Sequence, residues 1–91
     1  MRDSDDALTI DQLNTFLLVA KYSSFHIAAE KLFLSQPSVT SRIQALENDL
    51  GVILFVRQGR GIKLSDQGEK LVPIAKRIIG MYHKARTTLE N

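Results

Sequence analysis

The sequence contains no cysteine. Disulfides, thiolate nucleophiles and cysteine-based zinc sites are therefore excluded, which suits a reducing compartment. No apolar run approaches the ~20 residues needed to cross a bilayer. The opening MRDSDDAL lacks the apolar stretch of a secretory signal. Histidine is scarce: His26 and His83 fall on different predicted elements, and neither has acidic neighbours at metal-ligand spacing. Both read as surface or half-buried side chains. There is no glycine-rich phosphate loop, because Gly59-Arg60-Gly61 is too short and leads into a strand rather than a helix. Glu47 and Asp49 lie two positions apart on a predicted helix, do not face each other, and read as ordinary surface charges. No catalytic constellation emerges. The chain is read as a non-enzyme with no cofactor and no metal. No internal repeat or low-complexity segment is visible.

What remains is a chain of 91 residues with 44% hydrophobic content. That is enough for one small globular domain and one further element, with a core small enough for self-association to add stability. The net charge of +2 is unevenly spread. Residues 1–11 hold one basic and four acidic residues, whereas the rest hold eleven basic and six acidic ones. The folded part is thus basic, which favours polyanionic partners, although an ordinary solvated surface fits the charge equally well.

Residues 1–8 read as a flexible acidic tail. A helix then begins with Thr9 as N-cap and Gln12 three residues on, the spacing of a capping box. Leu8 and Leu13 are placed for a hydrophobic staple. Leu13, Phe16, Leu17 and Ala20 predict its buried face, and it ends near Tyr22. Ser23-Ser24 opens a short second helix with Ile27, Ala28, Ala29 and Leu32 inward. The two alanines allow the next helix to cross closely. Phe33 and Leu34 are expected to supply apolar contacts of the turn. Ser35 is the predicted N-cap of a third helix, where Pro37 is tolerated in the first turn. Val39, Ile43, Leu46 and Leu50 form its buried stripe, and Gly51 its stop.

Leu54-Phe55-Val56-Arg57 and Ile62-Lys63-Leu64 are β-prone runs around the turn Gln58-Gly59-Arg60-Gly61. They predict a two-stranded wing over residues 54–64. Ser65 caps a last helix running from about Asp66 to Glu90. In it Leu71, Ala75, Ile78, Tyr82, Ala85 and Leu89 recur at a heptad's alternating spacing of four and three. A dimerisation helix is the preferred reading, and packing onto the chain's own core is the competing one. Pro73 lies inside this helix, where it costs roughly 3 kcal/mol and predicts a kink. The fold expected is mostly α: a winged helix-turn-helix over residues 9–64 (helix-turn-helix 25–44), followed by a linker or dimerisation helix over 65–91.

A polar, uncharged-to-basic face opposite the buried stripe of the third helix suits base edges in a major groove. Only the first two turns of such a helix reach bases, which selects Gln36, Pro37, Ser38 and Ser41. Serine hydroxyls donate or accept, glutamine bonds adenine bidentately, and proline carbons touch a thymine methyl. For Gln36 and Ser38, plain helix-start chemistry is the alternative. Ser35, Thr40 and Arg42 are assigned to phosphates or the flank of the site. Arg57, Arg60 and Lys63 charge the wing with no acid among them, suiting entry into a minor groove. A solvated hairpin tip is the alternative.

These residues resemble the N-terminal DNA-binding region of the LysR-type transcriptional regulators, over about residues 8 to 90. The resemblance rests on Gln12-Leu13 with Phe16, Ala28-Ala29-Glu30-Lys31-Leu32, Ser35-Gln36-Pro37-Ser38, Leu46-Glu47, Leu50-Gly51, Leu54-Phe55, Arg57, Arg60-Gly61 and Leu64-Ser65 with Gly68-Glu69. It implies a cytoplasmic, nucleoid-associated bacterial regulator. Its linker helix would pair antiparallel with a second copy and space two readers across an interrupted inverted repeat of double-stranded DNA. Higher oligomers are compatible with the full-length family architecture. The family also carries a C-terminal effector-binding domain, so this chain is expected to be a DNA-binding portion without a small-molecule effector site. Two positions depart from the family pattern. An arginine common at the place of Ser41 stands one residue later, at Arg42, which implies target sites that differ from common family ones. His26 stands where a small hydroxyl residue is usual. The functional alternative is a winged-helix protein-interaction module without DNA binding.

Overall fold

The computed structural model describes residues 8–90. Its elements run α1 (Ile10–Tyr22), α2 (Phe25–Leu32), α3 (Gln36–Leu50), β1 (Phe55–Gln58), β2 (Gly61–Leu64) and α4 (Asp66–Leu89). The tail assigned to residues 1–8 lies outside the described residues except for Leu8, which is part-buried against the core and so belongs to the domain.

Local chemistry sets the starts of the helices. The capping box at α1 is complete: Thr9 Oγ1 accepts the Gln12 N–H at 3.1 Å, and Gln12 Oε1 accepts the Thr9 N–H at 3.1 Å. Ser24 Oγ accepts the Ile27 N–H at 3.0 Å, so α2 is capped without any help from His26. Ser35 caps α3 through the Ser38 N–H, and Pro37 sits in the first turn, where no intrahelical N–H bond is lost. Gly51 ends α3 at φ 73°, a conformation that costs glycine little.

Leu13, Phe16, Val19, Ala28, Val39, Ile43, Leu46, Leu54 and Ala75 are fully or almost fully buried. The buried arc of α1 centres on Leu13, Phe16 and Val19, with Gln12 and Thr15 also inside. Leu17 and Ala20 are only half-buried, so the expected face is turned by roughly one residue position. The reason is that α1 packs on α2, α3 and α4 together, not on one neighbour. In α2 the two alanines are buried as expected, but Ile27 is 36% exposed.

Phe33 is the larger departure. Its ring is 95% exposed, so it supplies no turn contacts. Its backbone is left-handed, φ 57° and ψ 41°. The Phe33 N–H bonds the Glu30 carbonyl at 3.3 Å and the Leu34 N–H bonds the Ala29 carbonyl at 3.0 Å. This is the Schellman pattern, in which glycine or asparagine is the usual residue. Half-buried Leu34 makes the inward contact instead.

β1 and β2 pair antiparallel in the register Phe55↔Leu64, Val56↔Lys63, Arg57↔Ile62 and Gln58↔Gly61. The loop is therefore two residues, Gly59-Arg60. Gly59 has φ 59° and Arg60 does not, which fits the glycine-first hairpin turn. Leu54 precedes the strand rather than starting it, and is buried. Phe55 anchors the wing, its ring 5.5 Å from that of Phe16 and 5.8 Å from that of Phe25.

Ser65 joins wing to α4. Its Oγ accepts the Gly68 N–H at 3.0 Å and donates to the Ile53 carbonyl at 2.6 Å, while its own N–H bonds the Leu54 carbonyl at 2.9 Å. Gly68 is buried against Leu54 and Leu64. α4 runs as one helix through Pro73. Ala75 and Ile79 are buried in the chain's own core, whereas Ile74, Ile78, Met81, Tyr82 and Leu89 are exposed. Of the heptad positions, Ala75 is thus committed inward, because α4 lies across α1 there. From Gly80 to Glu90 every residue is exposed.

Candidate nucleic-acid interface

α3 presents Gln36, Pro37, Ser38 and Ser41 to solvent because Val39, Ile43 and Leu46 turn the opposite side into the core. Two of the leading hydroxyls are already engaged. Ser35 Oγ accepts the Ser38 N–H at 3.2 Å and donates to Ser38 Oγ at 2.9 Å. Ser38 therefore keeps its own hydroxyl hydrogen for an outside acceptor, while Ser35 serves first as a cap.

Beside α3 runs an open cleft of about 530 Å³. One wall is Gln36, Thr40, Gln44 and Glu47 of α3, another is Ser23 to His26 at the start of α2, and the third is Val56, Arg57, Arg60 and Ile62 of the wing. Ile43 and Phe55 also line it. The structure thus brings Gln36, Thr40, Arg57 and Arg60 to one place. Pro37, Ser38 and Ser41 stand outside the cleft, on the exposed surface of α3.

Lys63 does not join the cleft. It lines a smaller depression with Glu69, Val19 and Ala20. Arg42 is also elsewhere: its Nη1 donates to Thr15 Oγ1 at 3.3 Å, and Thr15 in turn donates to the Asp11 carbonyl at 2.8 Å. Arg42 is half-buried and ties α3 to α1, so at least one of its N–H groups serves the fold.

Three features escape sequence reasoning. Glu47, read as a surface charge, has its Oε2 on the Leu54 N–H at 2.8 Å. It braces the entry to the wing. Gln44 also lines the cleft. His26 lines the cleft as well, with Nε2 3.3 Å from Glu30 Oε2. The i, i+4 spacing of His26 and Glu30 is visible in the sequence, but nothing local signals the other two.

Among the described residues there is no group of three or more potential metal ligands and no helix long and apolar enough to cross a membrane. A helix with a polar exposed start, an arginine-bearing hairpin beside it and a cleft between them define a winged helix-turn-helix DNA-binding domain.

Comparison with known proteins gives the family. Residues 10–69 match the family described as bacterial regulatory helix-turn-helix protein, lysR family. The HTH-type transcriptional regulator CitR of Bacillus subtilis (strain 168) is 44% identical over 77 residues, covering 85% of this chain and 26% of CitR. HdfR of Salmonella newport (strain SL254) is 46% identical over 74 residues, covering 81% of this chain and 27% of HdfR. The chain thus spans about a quarter of the length of these two relatives. The crystal structure of the CbnR_DBD-DNA complex aligns at TM-score 0.85 and 37% identity, covering 89% of this chain and 93% of that one. The BenM_DBD/catB site 1 DNA complex aligns at TM-score 0.85 and 28% identity, covering 91% and 93%. The chain belongs to the LysR family of bacterial helix-turn-helix regulators and carries that family's DNA-binding domain.

Proposed function

We propose that this chain reads the sequence of double-stranded DNA as a homodimer, as the DNA-binding domain of a bacterial transcription regulator acting in the cytoplasm. The supporting observation is the cleft, where the exposed start of α3 and the wing arginines flank one trough. A sugar-phosphate strand laid between them brings the first turns of α3 into the major groove and the wing tip towards the minor groove. Gln36, Pro37, Ser38 and Ser41 take the base edges, Ser38 through its remaining hydroxyl hydrogen. Thr40 and Ser35 flank the strand, and Arg57 and Arg60 supply charge from the wing. Lys63 and the outward N–H groups of Arg42 add long-range attraction. The two neighbours crystallised with DNA favour this reading over a protein-interaction module.

The homodimer rests on α4. Ile78, Tyr82, Ala85 and Leu89 are exposed along it with Ile74 and Met81, an apolar stripe left uncovered by the described residues. Leu71 is half-buried at its near end. Pairing of this stripe with its copy places two readers on one duplex, and their two-fold relation predicts an interrupted inverted repeat.

Selection of binding sites from a random duplex pool at moderate salt tests both parts. Enrichment of a two-fold-related, interrupted repeat is the expected result. Salt-sensitive retention of all duplexes without enrichment removes the sequence-reading claim and leaves phosphate binding. No retention at all favours the protein-interaction alternative.

A further inference from the structure

The cleft has a chemistry beyond its two arginines. Ile43, Phe55 and Ile62 give it apolar surface, Gln36, Thr40 and Gln44 give it neutral hydrogen-bonding groups, and Arg57 and Arg60 charge the wing side. Its facing α2 wall carries one titratable side chain, His26. Two carboxylates stand near. Glu47 lines the cleft from α3 but spends Oε2 on the Leu54 N–H. Glu30 pairs with His26 at 3.3 Å, and both side chains are mostly exposed, His26 at 70%.

We infer that His26 is a phosphate-binding residue of the DNA interface, its imidazolium closing the α2 side of the cleft across from Arg57 and Arg60. This rests on the DNA-binding reading above. An imidazolium has two N–H donors. One satisfies Glu30 and cancels a carboxylate that otherwise repels DNA at the rim. The other is left for a phosphate oxygen, a charge-assisted bond. A neutral imidazole does neither task as well. Histidine side chains gain their proton near pH ~6.5, so a contact that uses the charged form strengthens as pH falls through that range.

Binding of the intact chain to short random-sequence duplexes, followed by fluorescence anisotropy at pH 6 and pH 8 over a salt series, tests this. Random sequence is the correct probe because a phosphate contact carries no base information. The wild-type chain binds several-fold more tightly at pH 6, with a salt slope steeper by about one. His26→Asn removes both differences. The side chain is exposed, so the fold tolerates the change. Glu30→Gln tightens binding at pH 8 by removing the rim carboxylate, and His83→Asn retains the full pH response. Persistence of the pH effect in His26→Asn, or its loss in His83→Asn, overturns the assignment. Wild-type binding with equal slopes at both pH values overturns the histidine role alone. Absence of wild-type binding at both overturns the DNA-binding reading and this inference with it.

Discussion

The carboxylate of Glu47 accepts the backbone N–H of Leu54 at 2.8 Å, tying the last turn of α3 to the entrance of the wing. The bond crosses the loop that separates α3 from the wing and fixes their relative placement. Charge-assisted bonds of this kind contribute about 1.5–3 kcal/mol. We predict that Glu47→Ala lowers stability by about that much and weakens duplex binding, because Leu54 loses its partner and the wing its brace. Urea denaturation measures the first, and an unchanged midpoint refutes the bracing role.

Gly68 marks a second fixed point. A methyl group there meets the Leu54 carbonyl and stands 2.8 Å from Leu64 Cδ2. The carbonyl is backbone and accepts the Ser65 N–H, so it cannot simply step aside. Gly68→Ala is expected to cost roughly 3 kcal/mol, at the upper end for overpacking, while Gly80→Ala, with open space around it, costs nothing comparable. Thermal unfolding of the two variants side by side makes the comparison.

Phe33 breaks two local preferences at once, being a bulky residue in left-handed backbone and an aromatic in water. Asparagine suits that backbone, and no core contact is lost by the exchange. Phe33→Asn should therefore raise stability by about 1 kcal/mol. A lower denaturation midpoint would mean that the ring stabilises the fold after all.

Arg60 and Gln36 divide the proposed work. Arg60→Ala should weaken binding to nearly all duplexes and reduce the salt slope by about one. Gln36→Ala should mainly relax preference at one base position, a discrimination worth about 1–3 kcal/mol. Parallel titration of selected and random duplexes separates the two. Equal losses on both duplexes for both variants contradict the division.

Tyr82 lies half-way along the exposed stripe of α4, with its hydroxyl accepting from Arg86 Nη1 at 3.2 Å. Tyr82→Asp puts a carboxylate into the apolar seam proposed for the dimer and is expected to give a monomer by sedimentation. A dimer of undiminished strength would move the interface elsewhere.

Element ends are legible because their chemistry is local. Thr9 with Gln12, Ser35 with Pro37, Gly51, Gly59 and Ser65 each act on neighbours within a few residues, and each does what its position predicts. Helix faces are less legible, because they depend on how many partners surround a helix. Val19 rather than Leu17 completes the α1 core since α4 also lies against α1. Ala75 is drawn into that same contact, although its heptad spacing alone suits an outer seam. The exposed α3 residues proposed for DNA follow from the buried stripe opposite them. The cleft does not, since it exists only once the wing has folded back beside α2 and α3. Arg42, assigned with Ser35 and Thr40 to phosphates or the flank, is bonded to Thr15, and Lys63, assigned with Arg57 and Arg60 to the wing, lies beside Glu69.

The last stretch of α4, Gly80 to Leu89, is exposed throughout and contributes no residue to the described core. A helix end that nothing packs against frays more readily than the packed turns before it. In the proposed dimer, association would hold this end helical and dilution would loosen it. In the proposed dimer, two readers joined through such a segment would share a strut that stiffens on assembly, so the spacing they measure along DNA would be set by the act of pairing rather than by either chain alone.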